Sequence, residues 1–194
     1  MSRRRKSSAL TLILAVLSLF VWLGQEYGWF AEAKKGVIEN QPGQYKVVRF
    51  SDGDTITVDM NGKNETIRLI GVDTPETHDP RKKVQCYGPA ASAFTKNTIT
   101  AAGLQVRLAA DSLSSNRDRY DRLLRYVYLP NGTLFNQTLI EGGYGFYYPY
   151  FPFTKSPDFE AAQKQAQAGS KGLWGNCSPK PTDGGGFTSN DQDS

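Results

Sequence analysis

Between residues 45 and 70 the chain alternates apolar and polar positions with the period of a β-strand. "YKVVRF" (Tyr45–Phe50) runs into Ser51-Asp52-Gly53-Asp54, a turn signal, and "TITVDM" (Thr55–Met60) follows with Ile56, Val58 and Met60 on one face. Asn61-Gly62 predicts a two-residue hairpin, from which "ETIRLI" (Glu65–Ile70) returns. The result is a three-strand meander whose third strand feeds into Gly71-Val72-Asp73-Thr74-Pro75-Glu76-Thr77. Beyond the polar loop "HDPRKKVQC" a helix is expected from Pro89, a good first-turn residue, to Ala102, with Gly103 as its stop. "LQVRLAA" (Leu104–Ala110) and "RLLRYVYL" (Arg122–Leu129) read as two further strands. Pro130-Asn131-Gly132 turns the chain into a short helix, Thr133 to Glu141, closed by Gly142-Gly143. A last helix is marked by Ser156 as N-cap, Pro157 at the first turn and Gly169 just past the end. "GLWGNC" then tucks Leu173 and Trp174 back onto the body.

Five short strands with helices after the third and fifth predict an α+β, mainly β, architecture. The expected fold is a five-stranded barrel of the oligonucleotide/oligosaccharide-binding (OB) type with three helices. The domain occupies residues 45–177, after a linker over 34–44 ("KKGVIENQPGQ"). The Pro/Gly/Ser/Asp-rich residues 178–194 are expected to be a disordered tail.

Residues 1–33 carry a different pattern. "SRRRK" precedes an apolar run of fifteen, Ala9 to Leu23, which suits a signal-peptide core and is shorter than the roughly 20 residues of a spanning helix. Ala31-Glu32-Ala33 offers a small-x-small cleavage site, although far past the run. Two readings stay open, a cleaved signal peptide or an uncleaved membrane anchor, and both take the globular part out of the cytosol. The formal charge of +4 also divides here: four basic and two acidic residues leave residues 1–33 at +2, so the rest holds only the other +2. Bulk charge therefore does not diagnose a nucleic-acid partner, and local placement must. Two cysteines, Cys86 and Cys177, are too few for a structural zinc site. In an exported chain the pair reads as a disulfide, with two free buried thiols as the alternative.

The candidate chemistry lies at the meander's open end. Asp52-Gly53-Asp54 alone is an ordinary turn sequence. In an antiparallel pair, however, the start of the second strand and the end of the third are neighbours. Asp54 and Asp73 then face each other and, with the Thr74 carbonyl, form an all-oxygen set suited to Ca²⁺. Pro75 keeps Thr74 out of the helical region. Glu76, one step beyond, stands where a base would activate a water. Arg68 points into a groove rather than the core. "RDRYDRLLRY" adds Arg117, Arg119, Arg122 and Arg125, either a solvated run balanced by Asp118 and Asp121 or clamps for phosphate. The Asn-x-Thr triplets at Asn64, Asn131 and Asn136 match the glycosylation pattern, a motif short enough to arise by chance. His78, the sole histidine, receives no role.

"DGDT", "IRLIGVDTPET", "YGPAASAFTK" and "DRYDRLLRYVY", in this order and spacing, resemble the staphylococcal nuclease family from about Tyr45 to Trp174. The resemblance implies an OB-type barrel and a calcium-dependent phosphodiesterase. It places metal ligation on Asp54, Asp73 and Thr74, general-base catalysis on Glu76, and phosphate binding on Arg68 and Arg122, with Asp52 behind the ligands. Arg119, Tyr120, Tyr148 and Tyr150 become candidates for substrate binding. The two later tyrosines fall near those that flank the nucleotide base in the family, one residue out of spacing. Stacking on a base and packing within "GYGFYYPYFPF" remain open for them. Asp121 departs from the family, which often has glycine there; it either tethers Arg122 or faces solvent. The implied protein is an exported monomer that cleaves DNA and RNA, single strands preferred, leaving 3′-phosphate ends. The rival is a non-catalytic nucleic-acid-binding module tethered at the membrane. Degenerate copies of that kind lose acids or arginines, and all five are present here.

Overall fold

A computed structural model of the chain describes residues 43–77 and 83–192, together with Ser18. The expectations for residues 1–33, for the linker before residue 43 and for His78 lie outside the described residues. Contacts group Pro42–Ser194 as one unit.

The meander forms as its pattern predicts. β1 (Gln44–Asp52), β2 (Thr55–Met60) and β3 (Lys63–Leu69) pair antiparallel in sequence order. Asn61 and Gly62 both take positive φ, at 56° and 86°, the conformation of a two-residue turn whose twist matches the flanking strands. β4 (Val72–Asp73) follows directly, and α1 (Gly88–Ala101) leads to β5 (Gln105–Ala109) and β6 (Leu123–Tyr128). β6 runs parallel to β3, β5 joins β6 to β1, and a closed barrel of order β1-β2-β3-β6-β5 results. This is the expected OB-type barrel. Its interior is filled by Ile56, Val58, Ile67, Leu69, Val106, Leu108, Leu123 and Val127, each no more than 1% exposed. Each such side chain contributes roughly 1.5–3 kcal/mol by burial.

Helices cover the barrel. α2 (Phe135–Glu141) and α3 (Ser156–Ala168) pack together around Phe135, Leu139, Phe159 and Ala166. A two-stranded sheet pairs β4 with β7 (Phe146–Tyr147), and a four-residue helix, α4 (Leu173–Asn176), buries Leu173 as expected.

Several local readings need correction. β2 is buried on both faces, because Thr57 lies under Arg49 and the Thr55 hydroxyl is bonded to Asp54, so its alternation described only half of its environment. Ser156 is the first residue of α3 rather than its cap, and its hydroxyl bonds the Tyr147 hydroxyl at 2.6 Å instead. Gly169 has φ −88°, and the left-handed position falls on Ser170 at φ 49°. Asn136 is fully buried, with its side chain bonded to Val127, Ile70 and Arg125 backbone, which makes it a structural splice and not a glycan acceptor.

The largest correction concerns the tail. Residues 178–192 are structured: β8 (Lys180–Pro181) and β9 (Phe187–Thr188) form a hairpin. The physical reason is non-local. Phe187 packs on Phe146 and Trp174, with ring centroids at 6.2 and 5.1 Å, and Cys86 is disulfide-bonded to Cys177 just before the hairpin. A polar, glycine-rich composition hides these anchors.

Candidate active site

The hairpin register builds the site. Thr55 faces Arg68 across β2 and β3, and the Leu69 amide donates to the Asp54 carbonyl at 3.0 Å. Asp54 is therefore fixed beside Arg68, and it is only 5% exposed. Its Oδ2 accepts the Thr74 amide at 2.7 Å and the Thr74 hydroxyl at 2.9 Å, while Oδ1 accepts the Thr55 hydroxyl at 3.0 Å. The turn and the end of the third strand, adjacent only by inference in the sequence, are thus bonded directly. Gly53 is required at this junction, because a Cβ there would stand 2.8 Å from the Thr74 methyl.

Arg68 sits at the centre. Its guanidinium contacts Asp54 Oδ2 at 3.2 Å and Asp73 Oδ1 at 2.8 Å, and donates to the Val72 carbonyl at 2.6 Å. Burial opposes its charge, but the two carboxylates outweigh burial and hold its pKa above the usual arginine value. The Tyr148 ring lies 6.0 Å from the same guanidinium. Burial, and then the nearby Asp73 charge, raise the Tyr148 hydroxyl above the ordinary tyrosine range.

Arg122 approaches from the start of β6. Asp118, four residues upstream, receives its Nε and Nη2 at 2.7 Å each, and its Nη1 reaches Thr55 Oγ1 at 3.5 Å. Burial pushes the Asp118 carboxyl up, and the Arg122 hydrogen bonds more than reverse this, so its pKa falls below the ordinary value. In the sequence Asp118 is only charge balance for the run; a turn brings it to Arg122, with its Oδ1 accepting the Tyr120 and Arg122 amides at 2.9 and 3.0 Å. Asp121 adopts φ 64°, a conformation natural to glycine, which accounts for glycine's use at that place. It tethers Arg117, through its carbonyl at 2.6 Å and its carboxylate at 3.5 Å, and not Arg122. Arg117 in turn reaches Glu65 at 3.1 Å, and Arg125 is buried against Asn116 and Leu124, so these two arginines serve the fold.

Asp52, Asp54, Asp73, Thr74, Glu76, Arg68, Arg119, Tyr120, Arg122 and Tyr148 line one cleft of about 540 Å³. Asp52 accepts the Thr77 hydroxyl at 2.6 Å and so braces the loop that carries Glu76. Arg119 and Arg122 lie 4.8 and 5.4 Å from the Tyr120 ring, which is 62% exposed at the rim. Tyr150 is 4.8 Å from Tyr148 but is not part of the cleft lining, and its hydroxyl is engaged by Thr182 of the C-terminal hairpin. Sequence reading missed Gln85, whose Oε1 accepts the Glu76 amide at 2.8 Å; it comes from a loop without a recognisable pattern.

Chemically, the cleft combines the Arg68 and Arg122 guanidinium groups, suited to a phosphate anion, and Arg119 at the rim, with a carboxylate beside them that can accept a proton. Asp54 and Asp73 add two carboxylates, and Thr74 follows in the same lining. An all-oxygen set of this kind fits a hard cation such as Ca²⁺ that keeps some of its waters. Among the described residues no three His, Cys, Asp or Glu side chains group to hold a metal by themselves. A cation here would rest on the two carboxylates, a backbone carbonyl and water.

The family model described as "Staphylococcal nuclease homologue" matches residues 66–176. The thermonuclease of Staphylococcus hyicus is 41% identical over 168 residues, which covers 85% of this chain and 94% of that protein. The thermonuclease of Staphylococcus intermedius is 39% identical, over 88% and 98% of the two chains. Endonuclease YncB of Bacillus subtilis (strain 168) is 39% identical over 127 residues, 65% of this chain and 59% of that protein.

Proposed function

The chain belongs to the staphylococcal nuclease homologue family, and from that premise we propose that it is an exported, calcium-dependent nuclease. It hydrolyses phosphodiester bonds of DNA and RNA with little sequence preference, favours single strands, and leaves 3′-phosphate ends. The observation that carries this reading is the single cleft shared by Arg68, Arg122, Glu76, Asp54 and Asp73. A module that only bound nucleic acid would have no use for a carboxylate triad beside two phosphate-reading arginines.

Arg68 and Arg122 bind the non-bridging oxygens of the scissile phosphate and stabilise the charge that grows there. Glu76 takes a proton from the attacking water, the water oxygen bonds to phosphorus, and the P–O5′ bond breaks in line with it, the 5′-oxygen leaving with the electron pair and taking a proton from solvent. Asp54, Asp73 and the Thr74 carbonyl would hold Ca²⁺, which would supply positive charge to offset that of the phosphate. Tyr120, Tyr148 and Arg119 offer ring and guanidinium surfaces at the cleft rim for bases of an unpaired strand. Tyr150 contributes through Tyr148, against which its ring lies. The protein acts as a monomer, and residues 1–33 deliver it beyond the cytosol as a cleaved signal or as an anchor. No helix among the described residues is long and apolar enough to cross a membrane.

The test is digestion of single-stranded DNA and RNA with Ca²⁺ or with a calcium chelator, followed by analysis of product ends. Rapid cleavage in Ca²⁺ alone, with 3′-phosphate ends, is expected. An inert protein, chelator-resistant cleavage or 5′-phosphate ends would contradict the reading. The mass of the mature N-terminus decides between signal and anchor: a start at Met1 means an anchor.

A further inference from the structure

We propose that the C-terminal hairpin braces the catalytic loop, and that Gln85 is the positioning residue through which it acts on Glu76. This rests on the reading of Glu76 as the base. Gln85 holds the Glu76 backbone from both sides, accepting its N–H on Oε1 at 2.8 Å and donating its own N–H to the Glu76 carbonyl at 2.9 Å. The same side chain turns its Nε2 toward the tail, where it donates to the Ser189 carbonyl and to Thr188 Oγ1, both at 3.1 Å. One amide therefore joins the loop of the base to the hairpin, with its acceptor on one and its donor on the other.

The tail is fixed firmly enough to transmit position. Cys86 N–H donates to the Asn190 carbonyl at 2.8 Å, Gln192 N–H to the Val84 carbonyl at 2.9 Å, and the Ser189 hydroxyl to the Cys86 carbonyl at 3.0 Å. The Cys86–Cys177 disulfide ties this strip to the start of the tail. At the other end Phe187 packs on Phe146, the residue paired with Asp73 in the β4–β7 sheet. The hairpin thus spans from the strand bearing Asp73 to the loop bearing Glu76. On its other side that loop rests on the start of α1, where a Cβ on Gly88 would stand 2.9 Å from the Glu76 carbonyl. A base must be held closely, because small displacements of a reacting group cost large factors in rate.

A hairpin that merely covered the Phe146–Trp174 end would alter stability and leave turnover alone. A brace alters turnover in protein that remains folded. The test uses the full-length chain and single-stranded DNA with saturating Ca²⁺, and measures kcat, KM and thermal midpoint together. Gln85→Leu removes all three hydrogen bonds of the side-chain amide; its kcat is expected to fall roughly 10- to 100-fold while KM stays within about twofold. Gln85→Glu keeps an acceptor for the Glu76 amide and loses the donor to the tail, so an intermediate loss of kcat is expected. Reduction of the disulfide in the wild type lowers kcat in the same way. If Gln85→Leu does not fold, the other two arms decide. Wild-type kcat in folded Gln85→Leu, or in both Gln85→Glu and reduced protein, overturns the brace. Full activity of Glu76→Gln would overturn the underlying reading instead, whatever the Gln85 variants do.

Discussion

Arg68 and Arg122 line the same cleft in unlike settings. Arg68 is enclosed, with a side chain 13% exposed, and is bonded to two carboxylates and a backbone carbonyl. Arg122 is more open, at 28%, and rests on one acid four residues before it and on a long contact to Thr55. The first belongs to the architecture as much as to the chemistry, since it ties β3 to the Asp54 turn and to β4. The second is attached to the barrel by a local pair and is the freer of the two to follow a phosphate. A buried pair is costly to break from one side, because the remaining charge loses its partner. A partly exposed pair is worth little to stability.

Arg68→Ala should therefore do two kinds of damage. It is expected to lower stability by about 3 kcal/mol, because Asp54 stays buried without its counter-charge, and to abolish measurable cleavage. Denaturant unfolding and a cleavage assay check the pair of effects, and a fully stable variant would show that Arg68 is not architectural. Arg122→Ala is expected to cut kcat roughly 10²- to 10³-fold, the usual range for removing one donor that meets transition-state charge. Its stability should change by less than about 1 kcal/mol, so large destabilisation would show that Arg122 too is architectural.

Outside the cleft, a buried acid is held without any arginine among the described residues. Asp111 accepts the Thr154 hydroxyl, the Thr154 amide at 2.9 Å, the Tyr126 hydroxyl at 2.7 Å and the Leu113 amide at 2.8 Å. Burial raises its pKa, and these hydrogen bonds outweigh burial and bring it down to about 2 from 3.8. A carboxyl depressed on folding stabilises the protein above its unfolded pKa and loses that contribution as pH falls through the folded value. Asp111→Asn should thus cost roughly 2 kcal/mol at neutral pH and progressively less as pH falls from about 4 toward 2, with kcat unchanged. Unfolding of both proteins across that range is the measurement. The smallest effect belongs to Asp121→Gly. Relief of the left-handed backbone, about 1 kcal/mol, is offset by added chain entropy, and both stability and kcat should stay near wild type.

Legibility followed locality. Asn61-Gly62 fixes the hairpin, the hairpin fixes the register of Thr55 on Arg68, and the meeting of Asp54 with Thr74 follows from two turns and a strand length. The roles of Asp118, Gln85 and Asn136 were hidden for different reasons. Asp118 sits in a run where solvation and pairing look alike. Gln85 acts through contacts to Glu76 and to residues about a hundred positions downstream. Asn136 carries a surface-like triplet and lies in the core. The tail failed for the same reason as Gln85: its order depends on Phe187 finding Phe146 and Trp174, which no local pattern encodes.

The proposed mechanism turns on Glu76 as the base of a cleft whose arginines hold phosphate. The rate of single-stranded DNA hydrolysis in Ca²⁺ by Glu76→Gln, relative to wild type, tests it most directly, since glutamine keeps the shape and cannot take the proton. A loss of roughly 10²- to 10⁴-fold is expected, the contribution of a positioned general base, with substrate binding and thermal midpoint close to wild type. A folded Glu76→Gln protein that cleaves at the wild-type rate would contradict it.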